Sequence, residues 1–439
     1  MNVRAGIVVT GTEVITGQIT DRNGPWISKQ LGEIGVEVSH ILCVADRPAD
    51  LEAALQFLAG EGVDLIVTSG GLGPTADDLT AEVVARFAGR EMFLDEGMEA
   101  KIAAILERFA RRLRFDPEAL RAANRKQAMV PEGATAIDPA GTAPGLVVPV
   151  DDGPTVVVLP GPPRELQQMW PQAAATRPAR EVLDRAEPYE TASLRLFGIP
   201  ESEIAQTLRE VGEQTDLSPL EITTCLRRAE LHIDIRHRPG AERTRERLLE
   251  EIATRHGSFL FSDDGSSLDE QVAALLRGDR DPDATESEGP AEHRIALAES
   301  CTAGLLAARI SEPPGASDYL AGGVVAYAND AKTDLLDVPA EMIERHGAVS
   351  PEVAEAMADG ALKRFRADLG IGVTGIAGPG GGTEEKPVGY VCVCVKGVNG
   401  DILARDPVIP GDRAEIRDRA ATLALHLLRR LLQDEDFPL

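Results

Sequence analysis

The stretch from Val63 to Thr80, VDLIVTSGGLGPTADDLT, leaves few folds open. Its apolar run (Val63, Leu65, Ile66, Val67) stops at Gly70-Gly71-Leu72-Gly73-Pro74-Thr75, and a helix-like pattern begins at Thr80. A short apolar run bounded by glycines and followed by a helical period is the mark of a buried strand feeding a helix. Glycines at such a strand end let backbone N–H groups approach a phosphate, and the helix N-terminus adds a favourable dipole. Two carboxylates, Asp77 and Asp78, stand beside this anion cradle. One of them suits the N-cap of the following helix. The pair makes sense together when a divalent cation bridges carboxylates and phosphates.

The same alternation runs through the first 170 residues. Strands are expected at 4–10, 36–43, 63–69 and 155–159, with helices at 24–35, 50–58 and 80–88. Strand–helix alternation at this spacing implies a parallel, doubly wound α/β sheet, which binds ligands at the carboxyl ends of its strands. TGTEV, with Glu13 as a third acidic group, and GGLGPTADD both fall at such ends. Residues 171–262 read as a small α+β (KH-like) module without a chemical cluster, a spacer or dimerisation element. Residues 263–439 open with an amphipathic helix at 267–277 and an acidic segment at 279–293 expected to be a mobile loop. A second doubly wound α/β domain follows. Within it residues 369–374 have a strand pattern, yet GIGVTGIAGPGGG (370–382) is glycine-dense enough to be expected as a loop around a ligand.

Composition excludes several classes. Lys+Arg of 45 against Asp+Glu of 72 gives a net charge of −27 over 439 residues, which argues against direct nucleic-acid binding. Five cysteines, odd in number and without C-x-x-C spacing, and seven histidines without a ligand cluster argue for a reduced compartment and against structural zinc. The N-terminus lacks a signal-peptide core, and no apolar run approaches the roughly 18 residues of a membrane span. A cytoplasmic protein that does not touch membranes is expected.

GTEVITGQITDRN, GGLGPTADDLT, ANRKQAMVPEGA, GTAPG and LPGPPREL together resemble the molybdopterin-binding-type domain of the CinA family. The resemblance spans residues 1–170. It implies hydrolysis of the diphosphate of ADP-ribose with Mg²⁺ or another divalent cation, favoured by K⁺. Gly70, Gly71, Gly73 and Thr75 would surround the phosphates, Asp77, Asp78 and Glu13 the metal, and Asn124 and Lys126 would add substrate contacts, with Arg125 and Gln127 beside them. Metal and cationic side chains would neutralise charge and position water. Asp138 stands before GTAPG, where an asparagine is common in relatives.

Near the other end, a strand at 294–298 runs into Glu299-Ser300-Cys301-Thr302-Ala303-Gly304 and an apolar helix. A serine there is either an N-cap or a nucleophile presented to a cleft in the positive field of a helix start. AESCTAG, VAYANDAK, HGAVS, VTGIAGPGGGTEEKPVG and PGDRAEIR resemble the C-terminal CinA domain of nicotinamide-nucleotide amidase type. The reaction implied is conversion of nicotinamide mononucleotide to nicotinate mononucleotide and ammonia, without a cofactor. By this resemblance Ser300 is the nucleophile, Lys332 its general base and Tyr327 a support for the dyad. Thr374, Gly375 and Arg413 would hold the substrate or polarise its carbonyl, with Arg417 a second candidate for the phosphate. Cys301 is a rival nucleophile, and Ala303 replaces a glycine usual in relatives, narrowing the expected pocket by a methyl.

The dyad sets a physical demand. An amine of pKa about 10.4 is only about 0.04% neutral at pH 7, and burial lowering it by about three units raises that to roughly a quarter. The expectation is a bifunctional pyridine-nucleotide salvage enzyme acting as a homodimer. Two alternatives stand beside it: an N-terminal domain that only binds a pterin or nucleotide, and a non-catalytic accessory protein in competence or the response to DNA damage.

Overall fold

The computed structural model describes residues 2–75, 78–110, 124–278 and 292–434. Asp77 and residues 279–291 of the acidic segment lie outside them. The chain divides into two compact units, Met1–Glu190 and Thr191–Leu439.

The first unit is built on a six-stranded sheet. Its strands are β1 (Arg4–Thr10), β2 (Glu37–Val44), β3 (Leu65–Ser69), β6 (Thr135–Ile137), β7 (Gly145–Val148) and β8 (Thr155–Leu159), and β4 (Met92–Leu94) pairs separately with β5 (Met129–Pro131). The order β2-β1-β3-β8-β7-β6 is parallel through β8 and antiparallel beyond it. Side chains of successive residues in a strand point to opposite faces. Ile7, Leu65, Val67 and Val157 accordingly face helices Asn23–Glu33 and Pro163–Ala174, through Ile27, Leu31, Leu166 and Trp170. Val8, Ile66, Val156 and Val158 face helices Pro48–Gly60 and Thr80–Phe87, through Leu55, Leu58, Val83 and Val84. Both faces of β3 are thus covered and all five of its residues are buried. The doubly wound reading holds, with an antiparallel edge added.

The second unit carries two sheets. Four antiparallel strands, in the order β10 (Leu220–Arg227), β11 (Glu230–His237), β9 (Glu190–Phe197), β12 (Leu260–Ser262), pack against helices Glu201–Gly212 and Glu242–His256. The other sheet runs β14 (Leu320–Val325), β13 (Ile295–Glu299), β15 (Leu369–Gly375), β16 (Val391–Gly397), β17 (Ile402–Arg405). Its first three strands are parallel and the last two antiparallel. Helices Leu268–Arg277 and Arg413–Leu432 cover one face and helix Pro351–Phe365 the other. Helix Leu268–Arg277 begins with a reciprocal capping box, Ser267 and Glu270 each bonding the other's backbone N–H.

The glycine-dense segment departs from expectation in its first half. Gly370 to Gly375 lie in β15, a central strand, and only the following residues form a loop. The glycines serve close approach instead of chain reversal. A Cβ on Gly372 would fall 2.0 Å from the Ala354 carbonyl oxygen, and one on Gly370 would fall 2.5 Å from that of Ala358. Helix Pro351–Phe365 therefore rests on the strand backbone itself. Gly372→Ala forces that helix away and is expected to cost about 1–3 kcal/mol or more, read as a lower urea midpoint. Gly60→Ala is the control, since nothing lies within 4 Å of its Cβ position.

Candidate active sites

In the second unit the carboxyl ends of the three parallel strands converge. β13 ends at Glu299 and delivers Ser300, β14 leads to Tyr327 and Lys332, and β15 carries Thr374 and Gly375. The Ser300 N–H donates to the Val373 carbonyl at 2.9 Å, which extends the sheet ladder to Ser300. Lys332 lies in helix Asn329–Leu336 and is 1% exposed. Its Nζ lies 3.2 Å from Ser300 Oγ, 2.9 Å from the Ala326 carbonyl oxygen and 3.2 Å from that of Tyr327. Burial pulls the Lys332 amine below its ordinary 10.5.

This set of neighbours suits either protonation state. An ammonium has three N–H donors for three oxygens. A neutral amine keeps two N–H donors for the two carbonyls, and its lone pair is left for the Ser300 hydroxyl proton. Among the described residues no carboxylate forms an ion pair with Lys332, and desolvation outweighs the influence of Cys301 in lowering its pKa.

The other expected members divide. The Tyr327 ring is exposed, and its hydroxyl accepts from Arg413 Nη2 at 2.9 Å. Tyr327 meets Lys332 through its backbone carbonyl, so its side chain does not touch the dyad in the way expected. Arg413 also donates through Nη1 to the Gly378 carbonyl at 2.7 Å, and it sits exposed at the first turn of helix Arg413–Leu432. Thr374 is 1% exposed and its hydroxyl donates to the Ala348 carbonyl at 2.8 Å. It ties the HGAVS segment to β15 and presents no free hydroxyl donor to a substrate. Gly375 leaves room where a Cβ would fall 2.8 Å from Val391 Cγ2 and 3.0 Å from Cys301 Sγ. Lys386, which the sequence did not single out, donates to the carbonyls of His346 and Val349 at 2.6 and 2.7 Å, fastening its own loop to the same segment.

The positive field expected behind Ser300 is already occupied. Glu299, 1% exposed, accepts from the N–H groups of Gly304, Leu306 and Ala307 at 2.8, 3.2 and 2.9 Å. Its carboxylate performs the capping that the sequence left open for Ser300. Ala303 has a φ of 50° and is exposed, so the glycine usual there answers a left-handed backbone, not pocket volume.

In the first unit a cleft of about 840 Å³ opens at the ends of β1, β3 and β8. Gly70, Gly71 and Gly73 line it, and each is glycine for a steric reason: a Cβ would fall 2.5 Å from Thr10 O, 2.1 Å from Thr80 Oγ1 and 2.4 Å from Asp78 Oδ2 respectively. Gly70 and Gly71 also have positive φ, 106° and 65°. Glu13 and Asp78 both face the cleft. Asp78 Oδ2 accepts from the Thr75 N–H at 2.9 Å and its hydroxyl at 2.5 Å, so Thr75 closes the glycine turn. Asp78 does not cap the next helix, which has no side-chain cap.

Lys126 donates to the Thr75 carbonyl and borders a small side pocket with Gly73 and Asp78. The structure does not bring Asn124 to the cleft; it is buried, donating to the Glu99 carbonyl at 3.1 Å. Gln127 is the member of that run that reaches the cleft, holding the Leu72 carbonyl at 3.0 Å. Asn23 and Asp46 were missed as individual residues. Asn23 bridges Ser69 Oγ and the Gly161 carbonyl at 2.8 and 2.7 Å, and Asp46 accepts from the Thr12 N–H at 2.7 Å.

A divalent cation can be tested against these donors. Among the described residues no three His, Cys, Asp or Glu side chains gather as a cage. The oxygen donors that face the glycine cradle fit a cation that keeps waters and takes substrate phosphates as ligands, the habit of Mg²⁺.

The comparisons with known proteins agree with both halves. Residues 287–432 match the CinA C-terminal domain, and residues 6–178 match the probable molybdopterin binding domain. Over 436 residues, 99% of this chain and 100% of the relative, the chain is 58% identical to a CinA-like protein of Mycobacterium sp. (strain JLS). The chain belongs to the CinA family. A CinA-like protein of Mycobacterium tuberculosis is 53% identical over 437 residues, 98% of each chain. The crystal structure of competence/damage inducible protein CihA from Agrobacterium tumefaciens is 40% identical, covering 38% of this chain and 96% of that one, with a TM-score of 0.34. Among the described residues no helix is long and apolar enough to cross a membrane.

In this CinA-family chain the rival nucleophile is disfavoured. Cys301 is 4% exposed, and burial pushes its thiol up to about 12. A thiol with that pKa is almost wholly protonated at neutral pH and inert as a nucleophile. Iodoacetamide at pH 8, followed by peptide mass spectrometry, is expected to modify the exposed Cys43 and Cys225 and leave Cys301 intact. Fast modification of Cys301 in the folded protein would restore it as a candidate.

Proposed function

We propose that the C-terminal half hydrolyses the carboxamide of nicotinamide mononucleotide to nicotinate mononucleotide and ammonia. The observation that carries this reading is the buried Lys332 amine 3.2 Å from Ser300 Oγ, with no carboxylate paired to it among the described residues. Neutral Lys332 takes the hydroxyl proton as Ser300 Oγ bonds to the carboxamide carbon. The tetrahedral oxyanion collapses, the C–N bond breaks, and the Lys332 ammonium returns the proton to the departing ammonia. Water then attacks the acyl-enzyme with Lys332 again as base, releasing the acid and Ser300. Arg413, exposed at the rim, suits the substrate phosphate, since its planar fork matches phosphate oxygens. Arg417 is committed to backbone carbonyls and is the weaker candidate.

The same reading gives the N-terminal cleft a nucleoside diphosphate sugar, ADP-ribose, whose diphosphate is hydrolysed to give AMP and ribose 5-phosphate. Gly70, Gly71 and Gly73 border the phosphates, and Glu13, Asp78 and Asp77 would hold a divalent cation that neutralises them. The reading includes a cytoplasmic homodimer.

Ser300→Ala and Lys332→Met are each expected to lower ammonia release from nicotinamide mononucleotide by at least about 10³-fold. Retained turnover in either would remove the dyad. For the unsubstituted protein kcat/KM should rise with pH and level off, because the base works when neutral. The inflection should lie below 10.5, since burial lowers the Lys332 pKa.

Asp78→Asn and Asp77→Asn should abolish metal-dependent ADP-ribose cleavage and spare the amidase. Asparagine keeps an acceptor oxygen for the Thr75 contacts, so the loop survives the change. Two variants with normal cleavage would misplace the metal, and ADP-ribose that binds without turnover would make the cleft a binding module.

A further inference from the structure

The turn that carries Ser300 is held from two sides by side chains of opposite charge. On one side Glu299 takes three backbone N–H groups, those of Gly304, Leu306 and Ala307. On the other, half-buried Arg417 donates from Nε to the Cys301 carbonyl at 3.0 Å and from Nη2 to the Thr302 carbonyl at 2.8 Å. Between these anchors the Ser300 backbone is used at both groups, its N–H on Val373 and its carbonyl accepting from the Ala303 N–H at 3.2 Å. Backbone groups from residue 299 to 307 are therefore engaged almost continuously, across two consecutive left-handed residues, Ala303 at φ 50° and Gly304 at φ 92°.

A non-glycine residue in the left-handed region costs about 1–2 kcal/mol and persists only when its surroundings over-determine it. The surroundings here are two charged side chains, Glu299 and Arg417, that form no ion pair among the described residues. Arg417 stands one helical turn beyond Arg413, so one helix both reaches the substrate rim and grips the nucleophile turn.

We infer that Arg417 and Glu299 are positioning residues for the nucleophile, a donor and an acceptor that together fix the left-handed turn and hold Ser300 Oγ against Lys332 Nζ. Neither touches the substrate. A bidentate hold on two successive carbonyls needs the guanidinium fork, which lysine lacks. A displacement of about 1 Å in a reacting group costs on the order of 10²-fold in rate.

The inference rests on the serine–lysine reading, and its test separates the two. The rate of Ser300 phosphonylation by a small fluorophosphonate is measured beside amide turnover. In that reaction the Oγ–P bond forms, fluoride leaves and Lys332 takes the proton, with no substrate site involved. For Arg417→Met and Arg417→Lys, kcat and the labelling rate should both fall about 10- to 100-fold. KM for nicotinamide mononucleotide should stay within about twofold, and Glu299→Gln should behave in the same direction with a smaller loss. The lysine variant keeps the charge, and its thermal melt reports folding independently. Unchanged labelling in folded Arg417→Lys would overturn the inference, as would a raised KM with unchanged kcat, which would make Arg417 a binding group. An unsubstituted protein that labels at Ser300 but releases no ammonia would overturn the amidase reading alone.

Discussion

A lysine amine taken out of water without a counter-charge is the constraint on which the C-terminal half depends. Burial of an ammonium is expensive, and the usual remedies are an ion pair or loss of the proton. Lys332 has no ion pair among the described residues and two backbone carbonyls within 3.2 Å. Those carbonyls belong to Ala326 and Tyr327, where the chain leaves β14, so the strand end supplies acceptors for the amine's N–H groups in either protonation state. Helix Asn329–Leu336 then sets the distance to Ser300, which comes from the adjacent strand β13. The reach between the two residues thus follows from the parallel pairing of β13 with β14, and the lowered pKa from burial.

The same economy governs the charges nearest the nucleophile. A serine at a strand–helix junction draws help from a helix N-terminus only if that terminus is free. Here Glu299 fills it, and the six-residue helix behind contributes little field of its own. On the proposed reading, a developing oxyanion would therefore draw little from that helix terminus. Arg417 supplies the balancing positive charge at the carbonyl side. The neighbouring Cys301 records the apolar quality of this region, its thiol pushed up to about 12 by burial.

Much of this was legible in the sequence, and the misreadings share one cause. Residue types announced the strand ends: Ser300, Lys332, Gly70 and Gly71 fall where spacing put them, because strand–helix periodicity fixes position along the chain. It does not fix what lies across from a residue. Gly370 and Gly372 were taken for loop formers, yet their missing side chains admit the Ala354 and Ala358 carbonyls of a crossing helix. Thr374 and Asn124 have the right chemistry for a ligand, but their partners are carbonyls from distant segments, Ala348 and Glu99. Glu299 sat one residue from the nucleophile without drawing notice, because its three N–H partners follow it and only the fold turns them back. The signal was present in the AESCTAG string, whose one carboxylate has no other purpose before a glycine-broken helix start.

The N-terminal cleft obeys the opposite electrostatics. Among the described residues its wall includes Glu13, Asp21, Asp46, Asp78 and Glu165 against a single guanidinium, that of Arg22. Asp46 and Asp21 are engaged by backbone N–H groups of Thr12, Asn23 and Gly24, and burial pushes the Glu165 carboxyl up. Even so, a diphosphate brought to Gly70 and Gly71 meets more negative charge than two glycine turns can offset. At close range, unscreened like charges of this number cost several kcal/mol in a half-enclosed site. A diphosphate in such a cleft would call for cations beside it. On the proposed reading, affinity there would be a property of the cation–phosphate pair, whereas in the C-terminal half the chemistry would turn on a single buried amine.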